Sequence, residues 1–380
     1  MTLFARCSQK LTIAFIAASM LSCGGGNNEP SPADNGKDRQ EILIHWVDNI
    51  VVPSYDSFMT RFEAMKIKAE NFAENTNVTT LSEFRAAWVD AYLGWQKVEV
   101  FEFGPADQYT LRNFFNIYPA DVNGIAANIN DPSVNLDLPA SYARQGFPAL
   151  DYLINGVRAD DAQIIEYYTS GTDGTKRLTY VTRLVQRMNT LLTNVISGWP
   201  VYRDSFISKT GLDIGSSFGL VVNSYVLYYE RYIRSGKIGI PSGATIATGG
   251  TINPDKVEAY YKKDISLALA KNAHNAAVDF FNGKSVITGA EGPSFKSYMD
   301  ALGAKDAGTG TPLSGIINAQ FSTISGKLDL LGNDFSQQVQ ANNQLMIDTY
   351  AEMQKAVRML KVDMTSAMSV TITYTDNDGD

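Results

Sequence analysis

Residues 58–72 have the sequence FMTRFEAMKIKAENF, which is the clearest helical pattern in the chain. Phe58, Phe62, Met65, Ala69 and Phe72 are spaced by four, three, four and three residues, so an α-helix would place all of them on one face. Such a face has to be buried against other elements. The stretch therefore predicts a long helix inside a packed helical protein.

The same period recurs along most of the chain. Thr80 and Glu83 form a capping-box pattern before the next helix, and Asn253 with Pro254 resembles the start of a later one. Pro53 should kink or interrupt the helix that precedes residues 58–72. The further apolar faces comprise 84, 88, 92 and 95; 181, 184, 188, 191 and 195; 218, 222, 225, 229 and 233; 257, 261 and 265; and 339, 346, 350, 353, 357, 360 and 364.

Strand patterns are scarce, so the predicted fold class is all-α. Val370, Ile372 and Tyr374 alternate, which predicts either a short strand or a tail lying across the surface. We predict two helical-bundle subdomains, an N-terminal one over residues 39–208 and a C-terminal one with a short tail over residues 209–380. They would be joined near residues 200–215.

The N-terminus has the pattern of a lipoprotein signal. Arg6 and Lys10 precede a short apolar stretch, and Leu21-Ser22-Cys23 resembles a lipoprotein cleavage site. We predict a signal peptide over residues 1–22, lipidation of Cys23 and a flexible tether over residues 23–38. An ordinary cleaved secretory signal is the alternative. Gly24 after the cysteine favours the outer membrane of the cell envelope, on its periplasmic or its surface face.

The composition is acidic and nearly free of cysteine. The 380 residues include 32 Lys and Arg against 40 Asp and Glu, for a net charge of −8. That balance argues against a nucleic-acid partner, which demands a basic face. Cys7 and Cys23 are the two cysteines, and both belong to the predicted signal and anchor. No disulfide is therefore expected in the body.

Common catalytic patterns are absent from the sequence. His45 and His274 are the two histidines and stand alone, whereas a zinc peptidase helix needs a pair four residues apart. Gly215-Ser216-Ser217-Phe218-Gly219 matches a nucleophile elbow formally, but a helix start is the better interpretation. The terminal stretch 376–380 is partly similar to a calcium loop. A solvated acidic tail and a weak calcium site both remain open.

Several segments together resemble the imelysin family, in its branch of Bacteroidetes-type lipoproteins. They span the body from about residue 40 to 380, namely 111–113, 117–121, 145–153, 229–241, 257–261, 361–364 and 378–380. The resemblance implies two helical bundles with a site in the crevice between them. The family takes its name from a reported peptidase activity, and many members resemble components of iron uptake.

The family signature, Gly-x-His-x-x-Glu, falls here on residues 146–151. Gly146 is retained, Pro148 stands where the family has histidine, and Asp151 replaces glutamate. Because proline has no lone pair to offer a metal, an imidazole–carboxylate pair cannot form. Asp151 could still bind a hard cation, or it could pair with an arginine or cap a helix.

The resemblance also places candidate residues in the second half. Glu230, Arg234 and Lys237 would lie on adjacent helical turns and face the crevice opposite Asp151 and Tyr118. Asp151 with Glu230 would be the candidate metal ligands. The spacing of four between Glu230 and Arg234 also suits an ordinary helical ion pair.

We therefore predict an envelope-anchored ligand-binding lipoprotein, with iron, haem or another metal chelate as the candidate ligand. A structural lipoprotein that docks an envelope protein partner is the alternative, and a peptidase is a third.

Overall fold

The computed structural model describes residues 36–374. The described residues form helices and no strands, with isolated β-bridges only at Lys284–Glu291 and Lys305–Pro312. The all-α prediction is confirmed. The predicted signal peptide, Cys23 and the terminal stretch 376–380 lie outside the described residues.

The α-helices are numbered here in chain order. They are α1 (Lys37–His45), α2 (Val52–Glu74), α3 (Val78–Trp95), α4 (Pro105–Gln108), α5 (Leu111–Phe115), α6 (Val122–Asn130), α7 (Gly146–Asp151), α8 (Asp161–Thr169), α9 (Gly171–Ser208), α10 (Ser217–Leu227), α11 (Ile240–Ser242), α12 (Ser266–Asn282), α13 (Phe295–Ala301), α14 (Leu313–Leu328), α15 (Phe335–Ala341), α16 (Asn343–Arg358) and α17 (Thr365–Ala367). Within residues 36–374, π-helical segments follow four of them directly: π1 (Trp46–Val51), π2 (Tyr152–Gly156), π3 (Tyr228–Gly239) and π4 (Met359–Met364). Short 3₁₀ turns occupy Pro139–Arg144, Ile246–Thr248 and Pro254–Lys256. No helix in the described part of the chain is long and apolar enough to cross a membrane.

The apolar face of residues 58–72 is buried as its spacing predicts. Its five side chains are at most 1% exposed, on helix α2, which packs against α3 and α9. Burying a large apolar side chain contributes roughly 1.5 to 3 kcal/mol, so this face is a main source of stability for the first half. Pro53 lies in the first turn of α2. Helical structure continues through Pro53, and the irregularity lies just before it, in the π-helical segment π1.

The second half packs α12, α14 and α16 around π3. His274 on α12 is fully buried, and burial lowers its pKa to about 4. Its Nε2 lies 3.1 Å from the Phe321 carbonyl, which can only accept, so Nε2 donates there and Nδ1 accepts from the Tyr229 hydroxyl. His45 likewise donates to the Gly283 carbonyl at 2.8 Å. Both histidines therefore have structural partners.

The N-terminal helical stretch contributes to the core of the second half. Trp46 packs its ring against Phe218, Phe280 and Phe295, with centroids 5.7, 5.0 and 4.7 Å away. Helix α9 ends at Ser208, which is also where the first predicted bundle ends. The aromatic cluster nevertheless contains residues from both sides of that boundary, since Trp46 precedes it and the three phenylalanines follow it.

Local elements differ from the sequence predictions at three places. Helix α1 begins at Lys37, two residues inside the predicted tether. Asn77, and not the Thr80–Glu83 pair, caps α3, because its carboxamide oxygen accepts from the Thr79 and Thr80 amides.

The third difference lies later in the chain. Asn253 and Pro254 start only a 3₁₀ turn, and the chain from 257 to 265 is irregular. Residues 370–374 form no strand and lie across α10, which is the second of the two predicted alternatives, and Thr373 N donates there to the Asn223 side chain. Ser216 caps α10 by accepting from Gly219 N, as the helix-start interpretation of residues 215–219 requires.

Candidate functional site

Gly146 allows α7 to approach α5 closely. Its φ is +76°, and a Cβ at this position would lie 2.4 Å from the Phe115 carbonyl oxygen. Only glycine combines that backbone conformation with that contact. Helix α7 therefore begins against α5 and buries both Pro148 and Asp151.

Asp151 connects α7 to the irregular segment 257–265. One carboxylate oxygen accepts from Tyr261 N at 2.9 Å, and the other accepts from the Asn155 carboxamide at 3.0 Å. The side chain is 1% exposed, and this burial raises its pKa to about 7, although the hydrogen bonds from Tyr261, Asn155 and Lys262 favour the charged form. Asp151 thus holds a proton that it exchanges near neutral pH.

A cavity of about 200 Å³ lies beside Asp151, and we call it the Asp151 cavity. Tyr118 and Pro148 line it from the first half of the chain, and Asp255, Val257 and Tyr261 are among those that line it from the second half. Tyr118, Pro148 and Asp151 therefore lie around one cavity. Burial and the negative charges of Glu258 and Glu99 raise the pKa of the Tyr118 phenol well above its ordinary value.

A buried polar network lies next to this cavity, and we call it the Lys237 network. Lys237 donates to Glu258 at 2.5 Å and to Gln96 at 2.7 Å, and its Nζ lies 3.9 Å from Glu99. Asn116 donates to both glutamates at 2.8 and 2.9 Å. Each of these side chains is at most 4% exposed.

The Lys237 network connects the first and second halves of the chain through electrostatic interactions. Two carboxylates and one ammonium share a site in which each side chain is at most 3% exposed, so each charge depends on the others for its stability. The Tyr92 hydroxyl donates to Asn116 at 2.5 Å, and the Tyr228 hydroxyl donates to Glu99 at 3.3 Å, which extends the hydrogen bonding on both sides. Sequence analysis did not identify this network, because its hydrogen-bonded members are 17 to 162 positions apart.

Glu230 and Arg234 do not line the Asp151 cavity, which corrects their predicted place opposite Asp151 and Tyr118. Glu230 accepts from Lys361 at 3.1 Å and from the Tyr374 hydroxyl at 2.6 Å. Its partners and those of Asp151 do not overlap, so the two carboxylates do not form the metal-ligand pair that was predicted. Arg234 lies 3.8 Å from Glu230 and 5.2 Å from the centre of the Tyr350 ring, which favours the alternative of an internal ion pair.

The π-helical form of residues 228–239 explains why Glu230 and Lys237 have different partners. In an α-helix of about 3.6 residues per turn, positions 230, 234 and 237 would share a face. The i→i+5 bonds of a π-helix widen the turn to about 4.4 residues, so seven residues advance about one and a half turns. Lys237 therefore points away from Glu230 and reaches the Lys237 network instead.

The residues around the Asp151 cavity carry oxygen atoms that could coordinate a cation. Asp151, Asp255, Tyr118, Tyr260 and Tyr261 are among the residues that line it, and hard cations prefer carboxylate and phenol oxygens as ligands. Among residues 36–374, no three His, Cys, Asp or Glu side chains are grouped so that they could hold a metal. Any cation here would therefore need the phenols as well as the carboxylates.

Comparisons with known proteins agree on one family. The imelysin family model matches residues 51–362. The iron-regulated protein A of Synechococcus elongatus is 24% identical over 252 residues, which cover 64% of this chain and 64% of that protein. The chain thus spans less than two thirds of that relative's length.

Two crystal structures show the same fold. A putative iron-regulated protein A precursor from Parabacteroides distasonis superposes with a TM-score of 0.67 at 18% identity, over 87% of this chain and 96% of that one. An imelysin-like protein from Psychrobacter arcticum gives 0.66 at 16% identity, over 89% and 98%. With a family model that matches most of its length, the chain belongs to the imelysin family.

Proposed function

We propose that this protein binds a small hard cation, with ferric iron first, in the Asp151 cavity, and that it serves iron handling in the cell envelope. The observation that supports this most is the group of carboxylates and phenols around one cavity beside a buried aspartate. The names of its relatives, which refer to iron regulation, support the choice of metal.

The size of the cavity favours an ion over haem. Pockets for drug-sized ligands measure about 300 to 1,000 Å³, and haem is a large member of that class. The Asp151 cavity has about 200 Å³ and does not reach that range. Of the predicted ligands, iron is therefore proposed and haem is not.

Peptide hydrolysis has less support at this site. Pro148 lines the cavity at the position of the family's histidine, and proline can neither take up a proton nor bind a metal through its side chain. His45 and His274 are held by partners on other elements. Binding without catalysis is therefore the proposal.

Iron binding should depend on Asp151 and on pH. We expect Asp151→Asn to weaken ferric binding at least about tenfold, because a cation would lose a charged ligand in a poorly solvated site. Affinity should rise between pH 6 and 8, since the cation must displace a proton from a carboxyl whose pKa is about 7. Titration with ferric nitrilotriacetate, followed by a phenolate-to-iron absorption band and by calorimetry, measures both.

Matched variants make that titration decisive. Asp173→Asn removes an exposed carboxylate outside the cavity and should leave binding unchanged. Tyr118→Phe should remove part of the visible band while Asp173→Asn keeps it. If the folded wild type binds no ferric iron, or if Asp151→Asn binds it as tightly, the proposal fails.

The envelope location rests on the sequence around Cys23. In cells that make the full chain, Cys23→Ser should move the protein from the membrane fraction to the soluble fraction and abolish labelling by palmitate, because acyl chains provide the anchor. Equal labelling of both forms would refute lipidation at Cys23.

A further inference from the structure

Residues 370–374 (Val-Thr-Ile-Thr-Tyr) lie across α10 and form neither helix nor strand. Val370 is 5% exposed, and Ile372 and Tyr374 pack partly buried against the core, whereas the two threonines between them are exposed. Side chains that point alternately inward and outward are typical of an extended chain. No strand is present among residues 36–374 to pair with this segment, so side chains from helices must bind its backbone.

Asn223 of α10 binds the backbone of this segment. Its Nδ2 donates to the Thr371 carbonyl at 3.0 Å, and its Oδ1 accepts from Thr373 N at 2.8 Å. A carboxamide carries the donor and the acceptor of a peptide unit, so Asn223 takes the place of one residue of a neighbouring strand. Its Nδ2 also donates to the Gly219 carbonyl at 2.9 Å, which fixes the carboxamide from within α10.

Glu230 of π3 binds the side chain at the end of the segment. The Tyr374 hydroxyl donates to Glu230 at 2.6 Å, and the same carboxylate accepts from Lys361 of π4 at 3.1 Å. Lys361 Nζ also lies 5.5 Å from the centre of the Tyr374 ring. Glu230 is 4% exposed and lies 3.8 Å from Arg234, so partners within the body hold its carboxylate in place whether or not the tyrosine is bound.

The segment lies at the surface, and the core would remain nearly complete without it. Of its five side chains only that of Val370 is buried, and its hydrogen bonds with Asn223 are exposed. Segments with few buried contacts and exposed hydrogen bonds open locally at free energies well below that of global unfolding. Asn223 and Glu230 would stay oriented by their other partners, and such preorganisation favours binding of another segment.

The surface around Asn223, Glu230 and Lys361 has the two properties by which proteins bind extended peptides. Main-chain hydrogen bonds supply affinity, and pockets for alternate side chains supply specificity. We call this surface the Asn223 groove. We propose that it is a docking site for an extended segment of a partner protein, of the form apolar-x-apolar-x-Tyr, and that residues 370–374 occupy it until such a segment displaces them. None of the three residues lines the Asp151 cavity, so the proposal does not depend on iron binding.

The probe is the peptide acetyl-Val-Thr-Ile-Thr-Tyr-amide, added to the full chain. Thr373→Pro with Tyr374→Ala empties the groove, because proline cannot donate to Asn223 and alanine has no hydroxyl for Glu230. In saturation-transfer NMR we expect the peptide to bind this emptied chain with a Kd on the order of 1 mM or lower. It should bind the wild-type chain at least about threefold more weakly, because the chain's own segment competes for the groove.

Three altered peptides test which atoms are recognised. Phenylalanine in place of the tyrosine should weaken binding at least about tenfold, because a hydrogen bond to a charged group is lost. N-methylation of the second threonine removes the donor to Asn223 and should abolish binding. Alanine in place of the first threonine should leave binding unchanged, since Asn223 contacts only the carbonyl of that residue.

Asn223→Ala, added to the emptied chain, should likewise abolish binding. Asn130→Ala is the matched control, because the Asn130 carboxamide also donates to the carbonyl four residues earlier, on α6, and its loss should leave binding unchanged. The proposal is overturned if the phenylalanine or the N-methyl peptide binds as tightly as the parent, or if the wild-type and emptied chains bind alike. Circular dichroism of each variant shows that it is folded.

Hydrogen exchange on the wild-type chain gives a second test that needs no variant. The amide of Thr373 should exchange at least about a hundredfold faster than the buried amides of α14, because the segment opens locally. Equal rates would mean that residues 370–374 leave the groove only when the whole protein unfolds. No partner could then displace them, and the proposal would fail.

Discussion

Lys237→Met is expected to lower the free energy of unfolding by about 3 to 5 kcal/mol. The ammonium is 2% exposed and donates to Glu258 and Gln96, with Glu99 within 3.9 Å. Methionine would remove the ammonium that Glu258 and Glu99 share, and only Glu99 keeps a second positive charge nearby, that of Arg112. The solvation that the two carboxylates lose on burial is then no longer recovered. Urea unfolding at pH 7, monitored by circular dichroism, measures the loss.

Two further variants test that explanation. Lys355→Met removes a lysine that pairs with Glu352 on the surface, and it should cost less than about 1 kcal/mol. The double variant Lys237→Met with Glu258→Gln should be more stable than Lys237→Met alone, because it removes one of the unpaired charges. A loss below 1 kcal/mol for Lys237→Met would show that the Lys237 network does not join the halves as described.

Gly146→Ala is expected to cost about 2 to 5 kcal/mol. A left-handed backbone costs an alanine roughly 1 to 2 kcal/mol, and forcing an atom into a packed site adds about 1 to 3 kcal/mol. The added Cβ would lie 2.4 Å from the Phe115 carbonyl, which is backbone and cannot rotate away. Displacing α7 would also move Asp151 from Tyr261 N, so ferric binding should weaken together with stability.

Gly171→Ala is the matched control for that variant. Gly171 has a φ of +55°, but nothing lies within 4 Å of the position of its Cβ. Gly171→Ala should therefore lower the free energy of unfolding only by the backbone contribution. The difference in this loss between the two variants measures the steric effect of the close approach of α7 to α5. Equal losses in urea unfolding for the two variants would contradict the steric explanation.

The helical faces were predictable because each depends on local spacing alone. Phe58 to Phe72, the aromatic stripe from Phe84 to Trp95 and the stripe beginning at Phe218 are all buried where their period places them. Periodicity predicts which side of a helix is apolar, and burial of apolar area drives packing on that side. The residues of the family signature likewise led to Gly146, Pro148 and Asp151, which do lie together.

Local rules failed where tertiary contacts outweighed them. Residues 257–265 have helical spacing, yet Glu258 and Tyr261 are held in an irregular segment by Lys237 and Asp151. The capping box is formed around Asn77, three residues before the predicted Thr80, because several polar residues there could cap and only packing of α3 chooses between them.

The composition and apolar spacing of this sequence were sufficient to establish an all-α body and most of its core, since both follow from contacts within a few turns of helix. They did not establish the partners of charged residues, because a charge can be neutralised by any opposite charge that folding brings near. Only the folded chain shows that π3 turns Lys237 toward Glu258 and leaves Glu230 to Lys361 and Tyr374. The same assembly of distant segments encloses the Asp151 cavity, whose walls come from residues more than a hundred positions apart.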